Sequence, residues 1–284
     1  MRRFIPEAPL TLSLGPTSYD VTRRALVMGI LNRTHDSFFA PAATFDLDNF
    51  LTRAAQLVAE GADLLDVGGV KAGPGDEVTE EQELDRVVPA IELLRQRFDV
   101  PVSVDTWRAR VAAASFAAGA CVGNDISGFA DPDYLSAAAA AGASVVATHI
   151  RLRPRVADPH PHYDDVTATV IDFLRERRRR ALVAGIAAER IILDAGLDLG
   201  KTAAQSLQLL RDSALIAAHG PLLLSASNKT FLGVMFDLDV LERREASLAA
   251  AALGISAGCR VLRVHDVKGT VRVRDTLERV MESA

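Results

Sequence analysis

Residues 101–149 read PVSVDTWRARVAAASFAAGACVGNDISGFADPDYLSAAAAAGASVVATH. Three short apolar runs, Pro101 to Thr106, Cys121 to Ser127 and Ala143 to His149, alternate with two Ala-rich stretches, Trp107 to Ala118 and Pro132 to Ala141. The runs are nearly continuous in apolar residues, as strands are when both faces of a parallel sheet are covered. Parallel neighbours need a crossover, usually a helix, and the Ala-rich stretches fit that role. Gly119 and Gly142 follow the two helical stretches, where the chain needs positive φ to turn back.

The same unit repeats on both sides. Further strand-like runs are Ala25 to Asn32, Ala62 to Gly69, Arg190 to Gly196, Pro221 to Ser227 and Arg260 to Val267. Helical patterns cover Phe50 to Glu60, Glu80 to Phe98, Asp164 to Ala184, Thr202 to Ala218, Leu241 to Ala257 and Val273 to Ser283. Eight strands each followed by a helix predict a single (β/α)8 TIM barrel over residues 25–284. Thr11 to Leu14, Gly15-Pro16 and Tyr19 to Val21 predict a short β-hairpin within residues 1–24. No linker-like stretch interrupts the pattern, so residues 1–284 read as one domain.

Composition narrows the function. The 284 residues are 49% hydrophobic and 24% charged, which argues against disorder. A net charge of -5 argues against non-specific nucleic-acid binding. No run approaches the roughly 18 apolar residues of a membrane span. Met1-Arg2-Arg3 could begin a signal peptide, but Pro6, Glu7 and Pro9 interrupt its apolar region. Cys121 and Cys259 are too few and too distant for a disulfide framework, and predict reduced thiols in the cytoplasm.

Polar residues gather where the strands end, the rim that carries the active site of such barrels. They are Asn32, Asp66, Asp105, Asn124 with Asp125, His149, Asp194, Ser225 with Ser227, and Arg263 with His265. Alternation puts Arg263 and His265 on one face, likewise Ser103 and Asp105, and makes Asn124 and Asp125 diverge. Asn32, Lys229, Arg263 and His265 suit an anionic group such as a phosphate. Asp105, Asn124 and Asp194 could read donors on a heteroaromatic ring, although an aspartate after a strand also serves as a helix N-cap. Gly196 to Thr202 imitates a P-loop but has three residues between its glycines where the phosphate cradle needs four. His160 and His162 lack companions at metal-ligand spacing. The basic run Arg175 to Arg180 reads as a solvated helix face.

These landmarks, in order, resemble dihydropteroate synthase of the pterin-binding barrel family. The resemblance runs from Val27 to Val267 and rests on Met28 to Asn32 with Thr34 and Asp36-Ser37-Phe38, Asp66 to Gly69, Ser103 to Thr106, Asn124 to Gly128, Asp194 to Gly196 with Gly200-Lys201, Ser227 to Gly233, and Arg263 to Val267. It implies a homodimer that joins 4-aminobenzoate, an aryl amine, to a dihydropterin pyrophosphate in folate synthesis. It further implies that Asp105, Asn124, Asp194 and Lys229 hold the pterin. Asn32, Arg263 and His265 would hold the diphosphate, with Mg2+ beside Asn32.

The chain also departs from the family pattern. Glu-Ser-Thr-Arg-Pro-Gly after the second strand is Val70-Lys71-Ala72-Gly73-Pro74-Gly75. Ser-Arg-Lys is Ser227-Asn228-Lys229, and Gly-Phe-Gly-Lys is Asp198-Leu199-Gly200-Lys201. Arg33 and His35 are new in the first loop, and Ala195 and Thr148 replace a usual Pro and Met. The ring pocket is kept while the substrate loops change. This pattern also fits a pterin-binding paralogue with weak or no synthase activity, or an enzyme with another acceptor.

Overall fold

The computed structural model describes residues 9–33 and 47–282. The readings at Met1 to Glu7, at Thr34 to Phe38 and at Ser283 lie outside these residues.

Eight parallel strands close into a barrel: β3 (Leu26–Asn32), β4 (Leu64–Gly68), β5 (Val102–Asp105), β6 (Val122–Asp125), β7 (Ser144–Thr148), β8 (Ile191–Asp194), β9 (Leu222–Leu224) and β10 (Cys259–Val264). β10 closes the ring against β3, pairing Arg263 with Met28. The crossovers are α1 (Leu47–Ala59), α2 (Glu80–Arg97), α3 (Ala109–Ala117), α4 (Tyr134–Ala140), α5 (Val166–Val183), α6 (Ala203–Arg211), α7 (Ser213–Ala217), α8 (Thr230–Phe236), α9 (Arg244–Ser256) and α10 (Val267–Glu282).

The interior has two storeys. The lower one is apolar: Leu26, Met28, Leu64, Val122, Val146, Ile192, Leu223 and Val261 pack together. The hairpin of β1 (Thr11–Leu14) and β2 (Thr17–Asp20) plugs its open end, inserting Leu12, Leu14 and Val21 into that cluster. Each plug side chain stabilises the closed barrel by about 1.5–3 kcal/mol through burial. Ser144 Oγ donates to the Ser13 carbonyl at 2.5 Å, and Arg190 donates to that of Gly15 at 3.0 Å. Two residues further along the strands, polar side chains replace apolar ones, because alternation returns every second residue to the interior.

The helices differ from the sequence pattern at four places. The run from Thr202 to Ala218 breaks at Asp212, whose carboxylate accepts from Thr167 Oγ1 at 2.8 Å. α10 begins at Val267, six residues before Val273, because Asp266 accepts from the Gly269 N–H. The short helix α8 has no counterpart in the sequence pattern. The basic run is only partly solvated: Arg179 pairs with Glu176, but Arg180 donates to the Phe129 carbonyl and Arg177 covers the Phe173 ring.

Candidate active site

The upper storey centres on Arg263. Its Nε donates to Asp66 Oδ2 at 2.6 Å and its Nη2 to Asp105 Oδ2 at 2.7 Å. Asn124 Nδ2 donates to the same Asp66 oxygen at 3.2 Å. Side chains from β4, β5, β6 and β10 thus form one network across the barrel mouth. Burial raises the Asp105 carboxyl to about 7, against the opposing pull of Arg263. The two neighbouring carboxylates in turn hold the Arg263 guanidinium firmly charged.

This network leaves acceptors and donors over. Asp66 Oδ1, Ser103 Oγ and Thr148 Oγ1 are buried without a hydrogen-bond partner among the described residues. All three lie on interior-facing positions of β4, β5 and β7. Buried polar atoms are nearly always paired in native proteins, so three orphans on one storey mark a place for a hydrogen-bonding ligand.

Asp194, at the end of β8, accepts from the Gly196 N–H at 2.8 Å. Burial raises its carboxyl, while Lys229, Lys201 and Arg263 pull it down. Lys229 is half-buried at the head of α8, and its ammonium has no hydrogen-bond partner among the described residues. Burial lowers its pKa, and Asp198, Asp194 and Asp105 oppose that shift.

His265 sits just past β10. Ser227 Oγ lies 3.0 Å from His265 Nδ1 and accepts from the His265 backbone N–H at 3.2 Å. Burial and the nearby Arg263, Lys229 and Arg53 lower its pKa to about 4, so the imidazole is neutral at pH 7. Asn32 ends β3 beside Gly68, where both Asn32 Oδ1 and Asp105 Oδ2 approach. The structure therefore brings Asn32, Asp105, Asn124, Asp194, Lys229, Arg263 and His265 to one rim.

Asp125 turns away, as alternation requires. Its carboxylate accepts from Ser127 N at 2.6 Å and Phe129 N at 2.9 Å, holding the β6–α4 loop. His149 packs edge-on to Phe173 and contacts Lys201. The sequence pattern gives Lys201 no role beyond its place after Gly200. Its ammonium binds His149 Nδ1 (2.9 Å) and the carbonyls of Gly196 (2.8 Å), Leu199 (3.0 Å) and His149 (3.3 Å). It ties the β8–α6 loop to the end of β7, and Thr202 beside it caps α6. Asp66 is a polar strand end in the sequence with no ligand role implied there. The signal was the Leu64, Asp66, Gly68 alternation, which points Asp66 inward.

The family profile described as pterin binding enzyme matches residues 28–265. The chain belongs to the pterin-binding enzyme family. Within it, the chain is 43% identical over 257 residues to inactive dihydropteroate synthase 2 of Mycobacterium tuberculosis (strain H37Rv), covering 88% of this chain and 81% of that one. It is 36% identical over 269 residues to dihydropteroate synthase of Bacillus subtilis, covering 94% and 92%. The Yersinia pestis dihydropteroate synthase solved with a sulfonamide drug superposes with a TM-score of 0.91 at 38% identity, covering 97% and 100%. Pterin-binding relatives that match at such length thus include both synthases and proteins named inactive.

Proposed function

We propose that this chain is a dihydropteroate synthase-type transferase that binds a dihydropterin pyrophosphate and passes its methylene carbon to an aryl amine. The observation that carries this reading is the upper storey itself. Buried carboxylates, amide, hydroxyls and cations surround unpaired polar atoms, in a barrel whose lower storey is sealed by the hairpin. Asp105, Asn124 and Asp194 accept from and donate to the ring, and Lys229 offers a free ammonium to a ring acceptor. Asn32, Arg263 and His265 take the diphosphate at the rim.

In the reaction the C–O bond to the diphosphate breaks, a C–N bond forms, and the amine gives up one proton. Negative charge builds on the departing oxygen, and the Arg263 cation faces it in a partly buried setting where charge counts for more than in water. The aryl amine is a weak neutral nucleophile, so holding both partners in line supplies much of the rate.

Mg2+ suits this donor set. The ion keeps several waters and takes few protein ligands alongside substrate phosphates, and Asn32 provides one hard oxygen at the end of β3, beside Gly68. The described residues hold no cluster of three or more His, Cys, Asp or Glu. When bound, the ion neutralises part of the pyrophosphate charge.

One unit spans residues 1–284 in this reading and works as a homodimer, for which the exposed Val234, Met235, Phe236 and Leu241 around α8 offer an apolar surface. A cytoplasmic setting is supported by the free thiols of Cys121 and Cys259. No helix among the described residues is long and apolar enough to cross a membrane.

The test is steady-state formation of dihydropteroate from the pterin pyrophosphate, 4-aminobenzoate and Mg2+. Turnover above a no-enzyme control supports the transferase. A second reading, a pterin binder without turnover, is favoured by Ala72, Gly73 and Asn228, where the family pattern has Thr and two Arg. Pterin binding with no turnover on any aryl amine would establish that reading instead.

A further inference from the structure

The β4–α2 and β7–α5 loops meet above the rim and leave a cleft of about 280 Å3 between them. Arg155 holds the two loops together. Its backbone N–H donates to the Ala72 carbonyl at 3.0 Å, and its guanidinium donates to the carbonyls of Lys71 and Asp76. It does so from a left-handed backbone conformation, φ 66°, which is rare for a residue with a side chain. The clamp fixes the cleft walls rather than filling the space between them.

Those walls are amphipathic. Leu152 and Val156 line the cleft together and are 43% and 53% exposed, giving it an apolar stretch of wall. Arg153 lines it too, and its guanidinium makes no hydrogen bond or ion pair with any described residue. Its neighbour Arg151 is paired with Asp158, and the Arg155 and Lys201 cations are occupied by carbonyls, so Arg153 is the cation of this lining left open to a ligand among the described residues. On the far wall stand Ala72, Gly73 and Leu199, each smaller than the Thr, Arg or Phe of the family pattern. These short side chains leave the space between the loops open. Asp198 and Lys201 connect it to the rim, since both line the cleft and their charges act on Lys229 and Asp194.

We propose that this cleft receives the distal part of an acceptor longer than 4-aminobenzoate: an aryl amine with an apolar extension ending in a carboxylate, which Arg153 binds. The volume lies just below the usual range for a whole ligand pocket, which fits a tail rather than a complete molecule. The proposal rests on the transferase reading for its donor, while the cleft's own ligand chemistry is independent of it.

The test is calorimetry on the full chain with three probes: 6-hydroxymethyl-7,8-dihydropterin pyrophosphate, 4-aminobenzoate and 4-(4-aminophenyl)butanoate. The longer acid is expected to bind about tenfold or more tightly than 4-aminobenzoate, as one charge-assisted contact plus apolar burial gives. Arg153→Ala and Leu152→Asp should each remove that advantage and leave pterin pyrophosphate affinity unchanged. Equal binding of the two acids, or an advantage that survives both substitutions, overturns the proposal. If the pterin fails to bind while the longer acid still binds through Arg153, the cleft stands and the pterin reading falls.

Discussion

Arg263 Nη2 lies 2.7 Å from Asp105 Oδ2. The cation expected to hold a diphosphate and the carboxylate expected to read a ring are therefore one unit. Asp66, fully buried at 2.6 Å from Arg263 Nε, is its third member. A ligand on this rim meets the triad as a whole, because any change at Arg263 is felt by both carboxylates.

Arg263→Met leaves Asp66 and Asp105 buried without their counter-charge. Removing one partner of a buried pair costs about 3–5 kcal/mol. Urea unfolding should register a loss of that size. A loss below about 1 kcal/mol, the range of a surface pair, would mean that the triad is not a buried network.

Lys201 makes stability depend on pH. Burial lowers its pKa to about 7 from an ordinary 10.5. Between these values the unfolded chain carries a proton that the folded chain lacks, so this group's contribution rises as pH rises from about 7 toward 10.5. Urea midpoints of wild type and Lys201→Met from pH 7 to about 9 should diverge in slope, the variant lacking the rise. Parallel slopes would refute the assignment.

The altered β4–α2 loop can be partly reverted. A Cβ at Gly73 would find nothing nearer than Lys71 Cε at 4.0 Å, so a side chain fits. Ala72→Thr with Gly73→Arg restores a hydroxyl and a guanidinium, and charged hydrogen bonds contribute about 1.5–3 kcal/mol. Turnover with 4-aminobenzoate should rise about ten- to a hundredfold. The same pair should weaken the longer acid by filling its cleft. No gain in turnover would show that these two positions do not account for the difference.

Leu12 is fully buried in the plug. Leu12→Ala opens a cavity between the hairpin and the lower storey, and such changes cost about 2–5 kcal/mol. Thermal unfolding would reveal a hairpin that is ornamental if the variant matched wild type.

Much of this fold is legible along the chain. Runs such as Ala143 to His149 announce buried parallel strands, and β7 (Ser144–Thr148) falls inside that run. Alternation alone separates Asn124, which joins Asp66, from Asp125, which holds its own loop. The triad is not legible, because Asp66, Asp105 and Arg263 lie on three strands far apart in sequence and only closure of the barrel brings them together. Lys201 was hidden for a related reason: its partners, His149 and three carbonyls, belong mostly to backbone positions that no pattern displays. The break at Asp212 depends on Thr167, a tertiary contact, whereas the early start of α10 was encoded locally in Asp266-Val267-Lys268-Gly269.

The polar storey is proposed here as a pterin site. Calorimetry with 6-hydroxymethyl-7,8-dihydropterin pyrophosphate and Mg2+ tests it most directly, with Asp194→Ala beside the wild type. One-to-one binding is expected, weakening about tenfold or more in the variant, as loss of a charged hydrogen bond requires. No binding to the folded wild type, or equal binding to both proteins, would contradict it.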